Sequence, residues 1–309
     1  MGLSQSIDAL AQQLRSRVTS GAAGPFRHTE YPLRHSLDYP GDPGLSGPGS
    51  VTWSVMGDVA TFIGGIRGLL IQAAHPEVVA GVGDHSRYRE DPLGRLSRTS
   101  AYVTAASYGA MPEVEEAVAT VRRVHQRVKG VSERGIPYDA DDPGFSAWVH
   151  NALTDSFLVS NQVFGATKLS QPDADRFVAE QTRVGALLGA DPMPDTAAEL
   201  SAWIVNHPAL DPSTPMKEAV DFLRSPPLSP GLRIGYKVLQ AAAVATLPGR
   251  IRSILGLRNS PGAIPAGQAV IRGLRWAMGF SPTWHLALVR TGSPVPTGIF
   301  VQSLPVDRR

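Results

Sequence analysis

From Val51 to Arg290 the apolar residues recur at three- and four-residue spacing, and no stretch sustains strand-like alternation closed by turn dipeptides. A chain patterned this way must bury stripes of helices against one another, so the expected fold class is all-α. The spacing predicts helices at about 50–74, 93–109, 113–129, 144–165, 171–189, 195–206, 214–224, 231–256, 264–279 and 281–290. Ser170 and Asp173, with Pro172 between them, form a helix-start signature. Gly130 and Gly165 fall where helix ends favour a left-handed residue. No repeat of fixed period is visible.

Residues 1–48 read differently. An amphipathic helix carrying Ile7, Leu10, Leu14 and Val18 gives way to the stretch YPGDPGLSGPGS, which is too rich in Pro and Gly for regular structure. The expected organisation is an arm over 1–48 lying on one large helical domain over 49–309.

Composition removes several function classes. The 309 residues contain no Cys, so a disulfide framework, a thiolate nucleophile, a zinc ribbon and an iron–sulfur cluster are excluded. A metal must therefore be held by nitrogen or oxygen. The chain contains no HExxH, no GxGxxG after a strand, no P-loop and no G-x-S-x-G, which takes the support from protease, dinucleotide, NTPase and hydrolase readings. The start MGLSQSIDALAQQLRSRV has charges inside its apolar pattern and does not read as a signal peptide. The longest largely apolar run, Val238 to Pro248, is about half a bilayer span, so no transmembrane helix is expected and the reading is cytoplasmic.

Charge is unevenly distributed. Residues 224–309 carry a net +10 and the first 223 residues carry −8. The basic residues stand singly among apolar ones, which points to a basic helical layer packed on an acidic body. The competing reading is a lipid- or membrane-surface scaffold. No DNA- or RNA-reading motif accompanies the basic residues, so no nucleic-acid partner is expected.

With thiols absent, histidines and an arginine-rich stretch hold the candidate chemistry. In residues 113–130, Val114, Val118, Val121, Val124 and Val128 make one stripe, and His125 projects from its edge. A core histidine satisfied by a hydrogen bond and a metal ligand are both compatible with that position. Arg122, Arg123, Arg127 and Lys129 flank it, as anion-binding cations at a pocket rim or as a solvated face. In 144–165, His150 sits beside the main stripe, and Asn151, Thr154, Asp155 and Ser156 are unusually polar for a helix centre and call for partners. Pro76 ends a helix near His75, and Asp91-Pro92 starts another. On that next helix Arg95, Arg98, Thr99 and Tyr102 share a face, either plain surface or a set of donors aimed at an anion or bound oxygen.

Five ordered blocks carry a family resemblance: HPEVVAGVGDHSRYREDPLGRLSRT, VRRVHQRVKG, GIPYDADDP, WVHNALTDSFLVSNQVFG and LSQPDADRFVAEQTRVGALLGA. Together they resemble the MpaB-type oxygenases and the catalytic domain of rubber oxygenase (latex clearing protein), over about Val51 to Arg290. The resemblance implies a globin-like helical core enclosing haem b. It places the iron ligand on His125, with His150 as the second candidate, and the opposite face on Arg95, Arg98 and Thr99. Tyr102 and Arg122 join the cofactor-binding set. Glu77 is the nearest counterpart to the family's carboxylate base.

One departure is chemical. The lysine of the family's distal block is Arg98 here, and a guanidinium has no lone pair with which to cap iron. The implied activity is oxygenation or oxidation of a hydrophobic organic molecule, an isoprenoid or a secondary metabolite, with dioxygen and an electron donor as partners. A haem-binding sensor or carrier without turnover is the alternative.

Overall fold

The computed structural model describes residues 3–26, 28 and 30–306, and the chain opens with α1 (Leu3–Ala23). The body follows with α2 (Val51–Gly57), α3 (Thr61–Ala73), α4 (Pro76–His85), α5 (Pro92–Tyr108) and α6 (Met111–His125). A two-stranded antiparallel hairpin, β1 (Lys129–Val131) and β2 (Pro137–Asp139), pairs Gly130 with Tyr138. Then come α7 (Pro143–Phe164), α8 (Gln171–Ala186), α9 (Ala197–Asn206), α10 (Thr214–Arg224), α11 (Pro230–Ala245), α12 (Gly249–Ile254), α13 (Ala263–Met278) and α14 (Pro282–Arg290). The fold is all-α, with that hairpin as its only sheet among the described residues.

Three expected helices are interrupted or bounded differently, each for a local reason. The one expected at 50–74 breaks into α2 and α3, bent by 94°. At the bend the Asp58 carboxylate accepts the N–H groups of Ala60 and Ala166 and a bidentate pair from Arg275, a set of partners that a continuous helix would not permit. The helix expected at 231–256 divides into α11 and α12 around Pro248. α6 stops at His125, because Lys129–Val131 leaves the helix to pair with β2, so Gly130 sits in a strand and not at a helix cap. Gly165 does cap α7, but in extended geometry with φ −60°. α4 was absent from the sequence reading: it starts at Pro76, its first-turn proline, directly after the end of α3.

The core is centred on α3, which packs against α7 on one side and α11 on another. Two glycines of α3 permit the approach to α7. A Cβ on Gly64 would lie 2.7 Å from Phe157 Cδ1 and 3.2 Å from the Ser156 carbonyl, and one on Gly68 would lie 2.8 Å from Leu153 Cδ2. Ile63, Leu70, Ile71, Trp148, Phe177 and Ile204 fill the surrounding core. The polar middle of α7 finds its partners here. Arg67 Nη1 donates to Asp155 Oδ2 at 2.6 Å and to Ser156 Oγ at 2.9 Å, and Asn151 donates to the Pro192 carbonyl.

The basic C-terminal third packs on the acidic body, as its dispersed charges suggest. Arg275 pairs with Asp58, and the buried Arg290 donates to Ser36 Oγ and the Tyr108 carbonyl. α1 corrects its reading in one respect. It lies on α13, but Leu10, Leu14 and Val18 face outward and are exposed, because Ala11, Arg15, Thr19 and Ala22 take the inner side. Arg15 there stacks over Trp276 and Phe300. Ile7 lies among residues whose side chains are not described. No single helix among the described residues is long and apolar enough to cross a membrane.

Candidate functional site

α5 and α6 pack on one another across the short link Gly109–Ala110. Arg95 lies fourteen residues before Gly109 and His125 fourteen after Met111, so each stands roughly 21 Å from the link along its own helix axis. The expected capping holds there. Asp91 Oδ1 accepts the Gly94 N–H and Pro92 occupies the first turn of α5.

The α5 face is divided by its partners. Arg95 is half-buried and its Nε donates to Ser86 Oγ at 3.1 Å. Arg98 is exposed and pairs with Asp91 at 3.1 Å, and Thr99, also exposed, donates to the Arg95 carbonyl. Tyr102 is half-buried, and its hydroxyl is sealed from solvent without a hydrogen-bond partner among the described residues. Burial pushes its pKa up to about 12, so the phenol keeps its proton.

α6 is packed over only its first half. Val114 and Val118 are buried and Val121 is half-buried, whereas Val124 is 56% exposed, and the helix packs extensively against α5 alone. His125 is half-buried, and burial lowers its pKa, opposed by the charge of Asp141 and the Ala140 carbonyl. The imidazole is thereby held neutral, the form that has a lone pair to give. Arg122 is exposed, with Nε on the Leu187 carbonyl at 3.0 Å, and Arg123, Arg127 and Lys129 are exposed beside it.

His150 is a different kind of group. Its ring nestles against Gly185, where a Cβ would meet its Cδ2 at 3.0 Å, and its Nε2 lies 3.3 Å from Thr154 Oγ1. Burial brings its pKa down to about 4. A hydrogen bond to the Gln181 backbone of α8 opposes that shift, so the ring has polar neighbours on its own helix and on α8.

A second cluster gathers around Glu77, with two histidines whose meeting the sequence pattern does not predict. His75 and His207 both precede a proline, and both have extended ψ, 110° and 127°, at the start of α4 and the end of α9. Their rings come to 5.3 Å between centroids, walled by Phe145, Trp148 and Trp203. His75 is 3% exposed, its Nδ1 3.4 Å from Glu77 Oε2 without a well-aligned partner. Glu77 is equally buried. Burial pushes its pKa up, but hydrogen bonds from Arg134 and Ser132 outweigh that and hold it below the carboxylate range. The paired His-Pro dipeptides are the signal that was available.

Two cavities stand out among the described residues. One, about 450 Å³, lies among Arg224, Gln240, Val244, Leu257 and Arg258. The other, about 240 Å³, is lined by His75, Phe145, Pro192, Trp203, His207 and Pro208. Neither is lined by His125.

Residues 53–280 match the family described as ER-bound oxygenase mpaB/B′ and rubber oxygenase, catalytic domain. That span is most of the chain, and the protein belongs to this family of oxygenases. No curated protein and no solved structure matches the chain. Family membership makes the domain an oxidoreductase with dioxygen and an organic substrate as its reactants.

Proposed function

We propose that this protein is a haem b-dependent oxygenase or oxidase acting on a hydrophobic organic molecule, an isoprenoid or a secondary metabolite, with its haem at the open end of the α5–α6 pair. In this reading residues 49–309 are one globin-like haem domain and 1–48 an arm upon it. The observation that carries it is the match of residues 53–280 to the oxygenase family, together with a half-buried, neutral His125 on the helix that packs against the one bearing Arg95.

The residues fit the group chemically. His125 offers a neutral imidazole nitrogen to iron, and His150 is less suited because its ring is packed against Gly185 and hydrogen-bonded to the Gln181 backbone and Thr154. The unpartnered Tyr102 hydroxyl is a buried donor waiting for an acceptor. Arg122, with only Nε committed, has guanidinium N–H groups free for a propionate carboxylate.

Haem, when bound, supplies the iron on which dioxygen is activated. The chain's own part is electrostatic. Arg95 and Arg98 stay protonated and place N–H donors where negative charge develops, and Thr99 orients through its hydroxyl. Arg98 has no lone pair to give to iron, so beside a bound haem its part would be that of a hydrogen-bond donor only.

The test is the absorption spectrum of protein prepared with haem supplied. A Soret band that shifts or vanishes in His125→Ala and persists in His150→Ala is the expected result. An unchanged band in His125→Ala overturns the ligand assignment. Stable ferrous protein that consumes no oxygen with reductant and hydrophobic substrates would make it a carrier or sensor instead.

A further inference from the structure

The cavity between α4 and α9 has features that the oxygenase reading does not use. It is a built site: aromatic walls, two imidazoles, and a buried carboxylate fixed behind one of them. Glu77 is held ionised by Arg134 and Ser132, so the proton of His75 belongs on Nδ1, facing that carboxylate. The Nε2 of His75 is then a bare acceptor. His207 has the opposite arrangement. Its Nδ1 accepts the Ala209 N–H at 3.4 Å, so its proton sits on Nε2 and that atom is a donor. Neither Nε2 has a hydrogen-bond partner among the described residues.

An acceptor and a donor on adjacent rings, 5.3 Å apart by centroid, match a group that both gives and takes one hydrogen bond. A hydroxyl does this, whereas an indole N–H only gives and a carbonyl only takes. Phe145 and Trp203, with Pro192 and Pro208, offer flat apolar surfaces to the rest of the molecule. Charge selects further. Both histidines are held neutral, chiefly by burial, and the Asp142 carboxylate at the rim already accepts the Gly144 and Phe145 N–H groups. Arg250, a cation near His207, spends its guanidinium on the carbonyls of Val205 and His207. An anion therefore gains nothing here. Sites for drug-sized ligands run to about 300–1,000 Å³, so one of about 240 Å³ suits one or two rings.

We infer that this cavity binds a neutral, planar phenol, its hydroxyl donating to His75 Nε2 and accepting from His207 Nε2–H, its ring lying against Phe145 and Trp203. The inference does not depend on the haem reading, although it shares Glu77 with the residues that the family resemblance singles out.

The experiment measures binding of 4-methylphenol, 4-methylanisole and 4-methylbenzoate to the full chain at pH 7.5, by ligand-observed NMR and tryptophan fluorescence. The expected order is 4-methylphenol tightest, with 4-methylanisole and 4-methylbenzoate each about tenfold weaker or more, since neither replaces the hydroxyl's donation. His207→Phe keeps the wild-type melting profile and weakens 4-methylphenol about tenfold. Trp203→Ala weakens both neutral ligands. Equal binding of phenol and anisole, tighter binding of the benzoate, no phenol binding up to its solubility limit, or an indifferent His207→Phe would each overturn the assignment.

Discussion

Arg67 and Asp155 meet at 2.6 Å with side chains only 2% and 5% exposed, joining the centre of α3 to the centre of α7. Ser156 and the Thr246 carbonyl take further N–H groups of the same guanidinium. Breaking such a pair leaves a charge buried without its counterion, at a cost of about 3–5 kcal/mol. Asp155→Ala is therefore expected to lower the urea midpoint of unfolding by that equivalent. A change below about 1 kcal/mol would mean that the guanidinium reaches water by relaxation.

Two adjacent glycines of α3 are expected to respond in opposite directions. Gly64→Ala forces Phe157 and the Ser156 carbonyl away, and overpacking of this kind costs about 1–3 kcal/mol. Gly65→Ala meets nothing within 4 Å and gains helix propensity, up to about 1 kcal/mol. Thermal melts of the two variants separate packing from propensity, and equal shifts would refute the close approach of α3 to α7.

Acid should destabilise the fold through His75. Its pKa in the folded chain is lowered from 6.5 to about 4, by burial first and then by His207. The unfolded chain therefore takes up the proton more readily. The contribution is complete above pH 6.5 and is lost as the pH falls through 4. Between pH 7 and pH 4 the wild-type protein is expected to lose about 3 kcal/mol more stability than His75→Gln. Urea titrations at the two pH values measure the difference, and parallel losses would place a charged His75 in the fold.

Removing Arg95 should separate binding from chemistry. In the proposed site it donates to developing negative charge and does not ligate iron. Arg95→Ala is expected to keep the wild-type Soret position while oxygen consumption falls by about 10²-fold. Loss of the haem band together with activity would instead make Arg95 a structural support of the cofactor.

The helix class, the caps at Asp91 and Ser170 and the family were legible because each rests on residues close in sequence: periodicity, a side chain reaching a backbone N–H three residues on, and ordered motifs. The same locality explains what was not legible. Whether the α1 stripe faces inward depends on which side α13 accepts, and the bend at Asp58 depends on Arg275, 217 residues away. The valine stripe of α6 predicts an apolar face, but only packing shows that Val114 and Val118 are buried while Val124 is left exposed.

The two histidines before prolines carry this furthest. Sequence by itself set each backbone into extended geometry, since a proline crowds the helical conformation of the residue before it. It also determined that the chain is helical and belongs to an oxygenase family. Only the tertiary structure brought His75 and His207 ring to ring, put Glu77 behind one of them and closed aromatic walls around the pair. The reason is physical: spacing along a chain fixes which face of its own helix a side chain takes, whereas its neighbours across 132 residues are chosen by how helices pack.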